Sequence, residues 1–450
     1  MYLKEESFSD TIGSWACFTN FKTATKARQV ARYSLIDTLA CMLIGSQDHQ
    51  SFGVMEALSF GQENGVVQPI GGGVKLTTLG AAVLNGVRAH AIDFDDYEFS
   101  ASTHPSAPIF AALFSLAKTH QFTLNQIFDA WTVGYETLIW LGRALGFGHY
   151  NKGWHATATL SPIGTAAAAS KLLNLSAKQI SNAMAIAASS SAGSKAQFGF
   201  DTKALHVGFA AEAGLRAALL ARSGLKGNKN IWQSSQGFTD LYGTKTSIGF
   251  SKMMKNMDLG EAVNLFPVAR KLWPSCSYTH RAIWGAENLY NKLTKEDEIT
   301  KICIRLPRVF HRVSCFNKPQ NAAEARFSVS YCAVAGLLTG HVTPDDFLET
   351  SYKDPKRQKL TQNVIFDLYD LPADDPGYFG PSTAEKIIVT LSSGRSIEIE
   401  VSDVPGGANI PATQAQILKK LEDCGGCVKL AKEFFVADGT TLLSKTHLLD

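Results

Sequence analysis

The sequence has no basic tract, no glycine–arginine tail and little net charge. Only 18% of its 450 residues are Asp, Glu, Lys or Arg, and the formal balance is +3. So small and scattered an excess excludes a nucleic-acid partner. No uninterrupted apolar run reaches the ~18 residues of a spanning helix, so no membrane partner is expected. The stretch "TAAAASKLLNL" reads instead as closely packed helix. Cysteine is sparse, with eight residues spread over the whole length. The opening "MYLKEESFSD" lacks a signal-peptide pattern, and together these predict reduced thiols and a cytoplasmic location. The one close pair, Cys424-Gly-Gly-Cys427, has no second CxxC and no His pair to complete a zinc or redox motif. Gly71-Gly72-Gly73 lacks the GxGxxG spacing of a dinucleotide site, and HExxH is absent. No metal and no dinucleotide site are therefore expected.

What is present is an ordinary apolar fraction of 45%, enough for a large core and two or three domains. Up to about residue 267 the pattern is helical. "TKARQVARYSLIDTLACMLIG" keeps apolar residues at helical spacing and stops at Gly45. "TTLGAAVLNGVRAHAI" is a second helix. Ser106 with Pro108 opens "APIFAALFSLAKTH", and Ser161-Pro162 opens "IGTAAAASKLL". Ser176 with Gln179 is a capping box, and Thr202 caps "KALHVGFAAEAGLRAALLARS". Abundant Ala, Gly and Ser predict close helix crossings. The texture changes near Pro274. "KICIRLPRVF" and "EKIIVTLSSGRSIEIEVSD" alternate like strands, with "SSGR" as a hairpin turn and "NAAEARFSVSYCAVAGLLTG" as one helix between them. "TQAQILKKLEDC" returns to helix. The expected fold is mainly α: a large all-helical domain, residues 1–267 completed by 404–450, with a smaller α+β lid domain inserted at 268–403.

The chemistry concentrates in "AIDFDDYEFSASTHPSAP". Asp93, Asp95 and Asp96 follow the C-terminal end of a helix, where the macrodipole disfavours negative charge by up to about 1 kcal/mol each. Something other than helix stability selects them. Eight residues on, His104 precedes a helix opened by Ser106, whose free N–H groups could receive a carboxylate. An imidazole there could exchange a proton with a bound acid. Three further stretches carry histidine at loop–helix junctions: His155 in "NKGWHATATLSP", Lys203 and His206 on one helical face in "FDTKALHVG", and Lys271 and His280 in "RKLWPSCSYTHRAIWGA".

Four segments, "NGVRAHAIDFDDYEFSASTHPSAPIFAAL", "GWHATATLSPIGTAAAASKLLNLS", "TKALHVGFAAEAGLRAALLARSGLKG" and "LWPSCSYTHRAI", resemble the MmgE/PrpD family in order and over nearly the whole chain. The resemblance implies a helical domain with a lid, a homodimer and no cofactor. It implies one of three chemistries on small polycarboxylates: dehydration of 2-methylcitrate, decarboxylation of cis-aconitate or epimerisation of iminodisuccinate. A lyase, dehydrating or decarboxylating, is the expected reading; an epimerase or a non-catalytic polycarboxylate-binding protein is the alternative. The resemblance places Asp93, His104, His155, Lys203 and His280 around the site. Lys203, Ser106, His206 and Lys271 would bind carboxylates, and Asp93 would orient an imidazole or, with a raised pKa, act as an acid. Two positions depart from the family: Tyr97 stands where Thr is frequent, and Ala107-Pro108 where the dehydratase tends to have Asp-Asn.

Overall fold

The computed structural model describes residues 7–60, 65–371 and 383–449. The first six residues of the N-terminal stretch and residues 372–382 of the expected lid lie outside the described residues.

The helical expectation holds through the first 267 residues. Helix α1 spans Thr25–Gly45, α2 Thr78–His90, α3 Ser106–Ala117, α4 Leu124–Leu145, α5 Ala156–Leu172 and α6 Thr202–Arg222. Helix α6 is long and apolar enough to cross a membrane by length and composition, but two-thirds of its apolar window is buried inside the protein, against α2 and α5. Its polar residues Lys203 and His206 are buried as well. The small residues do what their spacing predicts. A Cβ on Gly86 of α2 would lie 2.7 Å from the Cα of Gly208 in α6. Two glycines therefore let the backbones touch, and the crossing brings the C-terminal end of α2 to the N-terminal end of α6.

Three helix starts differ from the sequence reading. Helix α5 begins at Ala156, six residues before the expected start, and carries Pro162 in its interior. Burial of nearly every α5 side chain outweighs the lost backbone hydrogen bond. Thr202 is the first residue of α6 and makes no side-chain cap. Ser106 likewise opens α3 without capping it. The capping box at Ser176 and Gln179 is present as expected.

Beyond residue 267 a four-stranded sheet forms from β1 (Ile299–Pro307), β2 (Val364–Tyr369), β3 (Glu385–Leu391) and β4 (Ser396–Val401). The order is β2-β1-β3-β4, with β1 and β2 parallel and the other pairs antiparallel. The "SSGR" turn joins β3 to β4 as predicted. Strand β3 alternates buried and half-buried residues, and α7 (His280–Tyr290) packs on it and on β4. The single helix expected over residues 321–340 is two: Ala322–Arg326 and α8 (Val329–Thr339). Ser328 breaks it, its hydroxyl accepting from the Tyr331 N–H at 3.0 Å, which is the competition Ser offers a helical backbone. The break frees Phe327 to face the site described next. In the C-terminal segment, α9 (Gln414–Asp423) lies against α1.

Candidate active site

Helix α2 ends at His90, and the chain reverses through Asp93, which adopts a left-handed φ of 54°. Asp tolerates this conformation better than most residues, and two ammonium groups hold it there. Lys203 Nζ, from the start of α6, lies 3.0 Å from Asp93 Oδ1. Lys271 Nζ lies 2.9 Å from the same oxygen and donates to the Asp93 carbonyl at 2.8 Å. Burial pushes the Asp93 carboxyl up, but the two lysines and the imidazoles of His104 and His90 more than offset it, and Asp93 is held well below the usual carboxylate range. The expectation of an acid with a raised pKa is corrected: Asp93 is an ionised anchor for cations.

The reversal also points Asp95 back at two imidazoles. Its carboxylate accepts from His90 Nδ1 at 2.8 Å and sits 3.3 Å from His104 Nδ1. With Nδ1 protonated, His90 Nε2 accepts from the Lys203 ammonium. Burial lowers the His90 pKa to about 4, so the ring is neutral and fit to accept. His104 is fixed from both sides. Its backbone N–H donates to Thr157 Oγ1 at 3.0 Å, and its ring meets His90 edge to face at 4.6 Å. Its Nε2 lies 3.8 Å from Asp93 Oδ1. Burial lowers its pKa despite Asp95.

These groups surround a cavity of about 40 Å³, room for only a few waters. Asp93, His104, His155 and Lys203 line it from the helical segments, and Cys276, Tyr278 and Phe327 from the segment after residue 267. His155 pairs with His206, Nδ1 to Nδ1 at 3.0 Å, and its Nε2 has no hydrogen-bond partner among the described residues. Burial and the nearby Lys203 keep the His155 imidazole neutral.

Four of the expected residues stand behind the cavity wall. His206 supports His155, and Lys271 supports Asp93. His280 donates from Nε2 to the Ser275 carbonyl at 3.1 Å, and its ring packs edge-on to Tyr97 and Trp273. Burial lowers its pKa to about 3. Ser106 is engaged within its own loop: its N–H donates to Asp96 Oδ1 at 3.1 Å and its hydroxyl to Asp96 Oδ2 at 2.5 Å. The N-terminus of α3 is thus already filled by a carboxylate of the same loop. Burial, aided by Asp37, raises the Asp96 pKa to about 7.

The sequence reading missed His90 and Asp95 as a pair, and Lys420. Lys420, from α9, donates to Asp37 at 2.7 Å, to the Phe94 carbonyl at 2.7 Å and to the Lys271 carbonyl at 3.1 Å. One buried ammonium thereby ties the acidic loop to the segment carrying Lys271.

His90, Asp93, Asp95 and His104 offer four donor atoms within 4.8 Å of one another. That spacing suits a divalent ion, but the donors are already committed. Two ammonium groups occupy Asp93 Oδ1 and one of them occupies His90 Nε2. A metal would have to enter beside two positive charges, so this set does not fit one. Cys424 and Cys427 are free thiols, and no third donor joins them among the described residues.

Fold and site together define a mainly helical protein with a buried cavity lined by the Lys203 ammonium, the carboxyl groups of Asp93 and Glu98 and the imidazoles of His104 and His155. Comparison with known proteins identifies the family: residues 10–251 match the MmgE/PrpD N-terminal domain and residues 273–433 the MmgE/PrpD C-terminal domain. The chain belongs to the MmgE/PrpD family. It is 29% identical over 414 residues to cis-aconitate decarboxylase of Homo sapiens, covering 87% of this chain and 82% of that protein. It is 29% identical over 411 residues to the Mus musculus enzyme of the same name, covering 82% of each. Cis-aconitate decarboxylase of Aspergillus terreus is 28% identical over 429 residues, covering 88% of this chain and 85% of that protein.

Proposed function

We propose that the protein is a lyase that decarboxylates a small polycarboxylate of the aconitate type by acid–base catalysis. One observation carries the reading: the Lys203 ammonium and the His104 imidazole reach the same cavity, which six aromatic side chains also line. Lys203, balanced by Asp93, would hold a substrate carboxylate as a point charge. A second carboxylate facing Tyr278, Phe198 and Phe327 loses its hydration, which favours its departure as carbon dioxide. The carbon–carbon bond to that group breaks, and its electron pair becomes a new double bond. The old alkene's pair takes a proton from His104 Nε2. Asp95 stabilises the imidazolium that must supply this proton, and the substrate's own negative charge raises its population. The relatives named cis-aconitate decarboxylase support this choice over dehydration.

The second reading is epimerisation. It is favoured by His155, whose free Nε2 offers a proton-handling group separate from His104. In either reading residues 268–403 act as the lid, which is supported by the two-sided lining of the cavity. A homodimer is supported by the half-exposed apolar side chains of Phe52 and Phe209.

Incubation with a panel of tricarboxylic acids tests the function. Release of carbon dioxide from cis-aconitate is the expected result. New ultraviolet absorbance from a hydroxy acid without gas means dehydration, and a change of optical rotation without either means epimerisation. Saturable binding without turnover means a binding protein.

A further inference from the structure

The inner cavity has room for only a few waters, whereas a tricarboxylate needs several times that space. Directly outside it lies a groove of about 470 Å³, ample for such an acid. Its sides are the segment from Lys195 to Phe200 and the segment from Val309 to Phe316. One side chain borders both spaces. Phe198 lines both, its outer side on the groove and its ring edge-on to His155 at 5.1 Å. The Lys203 ammonium lies 5.3 Å from the same ring. A second link runs through Tyr150, which lines the cavity while the Lys195 ammonium sits 3.6 Å over its ring.

The groove's charge has one sign. Lys195 and Arg312 line it, and no carboxylate does. Arg312 is exposed and pairs with no acid among the described residues. Two cations from opposite sides, over an apolar floor of Phe198, Val313 and Phe316, form a subsite for an anion with more than one carboxylate.

We propose that this groove is the capture subsite of the polycarboxylate, where Lys195 and Arg312 each pair with a carboxylate before Phe198 yields and the acid passes to Lys203. The proposal rests on the polycarboxylate reading above and adds a binding position distinct from the acid–base cavity. Arrival is thereby steered by charge, and the inner cavity need open only by displacement of its aromatic wall.

Cys315 is exposed and lines the same groove, so its alkylation reports occupancy, and exposed Cys427 serves as a reference. The probe is propane-1,2,3-tricarboxylate, which has no alkene and no leaving group. The full-length protein is titrated calorimetrically and its iodoacetamide labelling followed by mass spectrometry. At low ionic strength the acid should slow Cys315 labelling by about threefold or more and leave Cys427 unchanged. Protection should vanish at high salt and in Lys195→Met/Arg312→Met, and persist in Lys203→Met. Calorimetric binding without Cys315 protection overturns the capture subsite, as does equal protection in the double variant or its loss in Lys203→Met. A wild type that neither binds nor is protected overturns the polycarboxylate reading itself.

Discussion

Asp95 divides its carboxylate between two imidazoles, accepting from His90 Nδ1 at 2.8 Å and facing His104 Nδ1 at 3.3 Å. One buried anion thus sets the orientation of both rings. His90 is turned to accept from Lys203, and His104 is turned so that Nε2 faces Asp93 and the cavity. Asp95→Asn keeps the shape but removes the charge that stabilises an imidazolium. Its kcat should fall by about 10²–10⁴-fold with KM little changed, the range for loss of acid–base assistance. Wild-type kcat in this variant would remove the Asp95–His104 pair from the mechanism.

His104 has a pKa below its ordinary value because burial disfavours the charged ring. If it is the acid, kcat/KM falls as pH rises through that lowered value, because the imidazolium is lost. If it is instead a base, kcat/KM rises over the same interval. Comparing wild type with His104→Gln identifies the limb, which should be absent from the variant.

Lys203→Met should raise KM by about tenfold to a hundredfold, the effect of losing a charge-assisted contact worth roughly 1.5–3 kcal/mol. The loss is cushioned for Asp93, which keeps Lys271. Steady-state kinetics that show an unchanged KM would contradict a carboxylate-holding role.

Asp96 links pH to stability. Its folded pKa is raised to about 7, whereas an exposed Asp titrates near 3.8. Between those values the folded state holds a proton that the unfolded state has released. Its contribution is therefore full below about pH 4 and is lost as pH rises through about 7. Wild type should lose stability relative to Asp96→Asn over this interval, by up to about 1.4 kcal/mol per pH unit. Denaturant titrations at several pH values check the sign.

Much of the architecture was legible because helix spacing and strand alternation are local. The hairpin and the texture change near Pro274 could be read directly. Asp93, His104, His155 and Lys203 were marked by the family resemblance, and the fold brings these four to one cavity. The sequence does not announce that Asp96, ten residues before Ser106, fills the helix N-terminus. His90 and Asp95 escaped because their contact depends on the left-handed turn at Asp93, a backbone event that no residue pattern announces. Phe198, Phe327 and Tyr150 look like core aromatics in sequence; only the fold turns them toward a cavity. Lys420 acts across more than three hundred residues of chain.

The CGGC pair is far in sequence from every residue that lines the cavity, with Cys424 buried and Cys427 exposed. Cys424→Ser/Cys427→Ser should retain kcat within about twofold and lose some stability at the buried position, on the order of 1–3 kcal/mol for an unsatisfied hydroxyl. A loss of activity beyond tenfold with the fold intact would give the pair a role absent from this account.

The most direct measurement is carbon-13 and proton NMR of cis-aconitate incubated with the protein in D₂O. Carbon dioxide and a product carrying a single new deuterium at the former alkene carbon are expected, with both signals lost in His104→Gln. Unchanged cis-aconitate with wild-type protein, or full turnover in His104→Gln, would contradict the proposed mechanism.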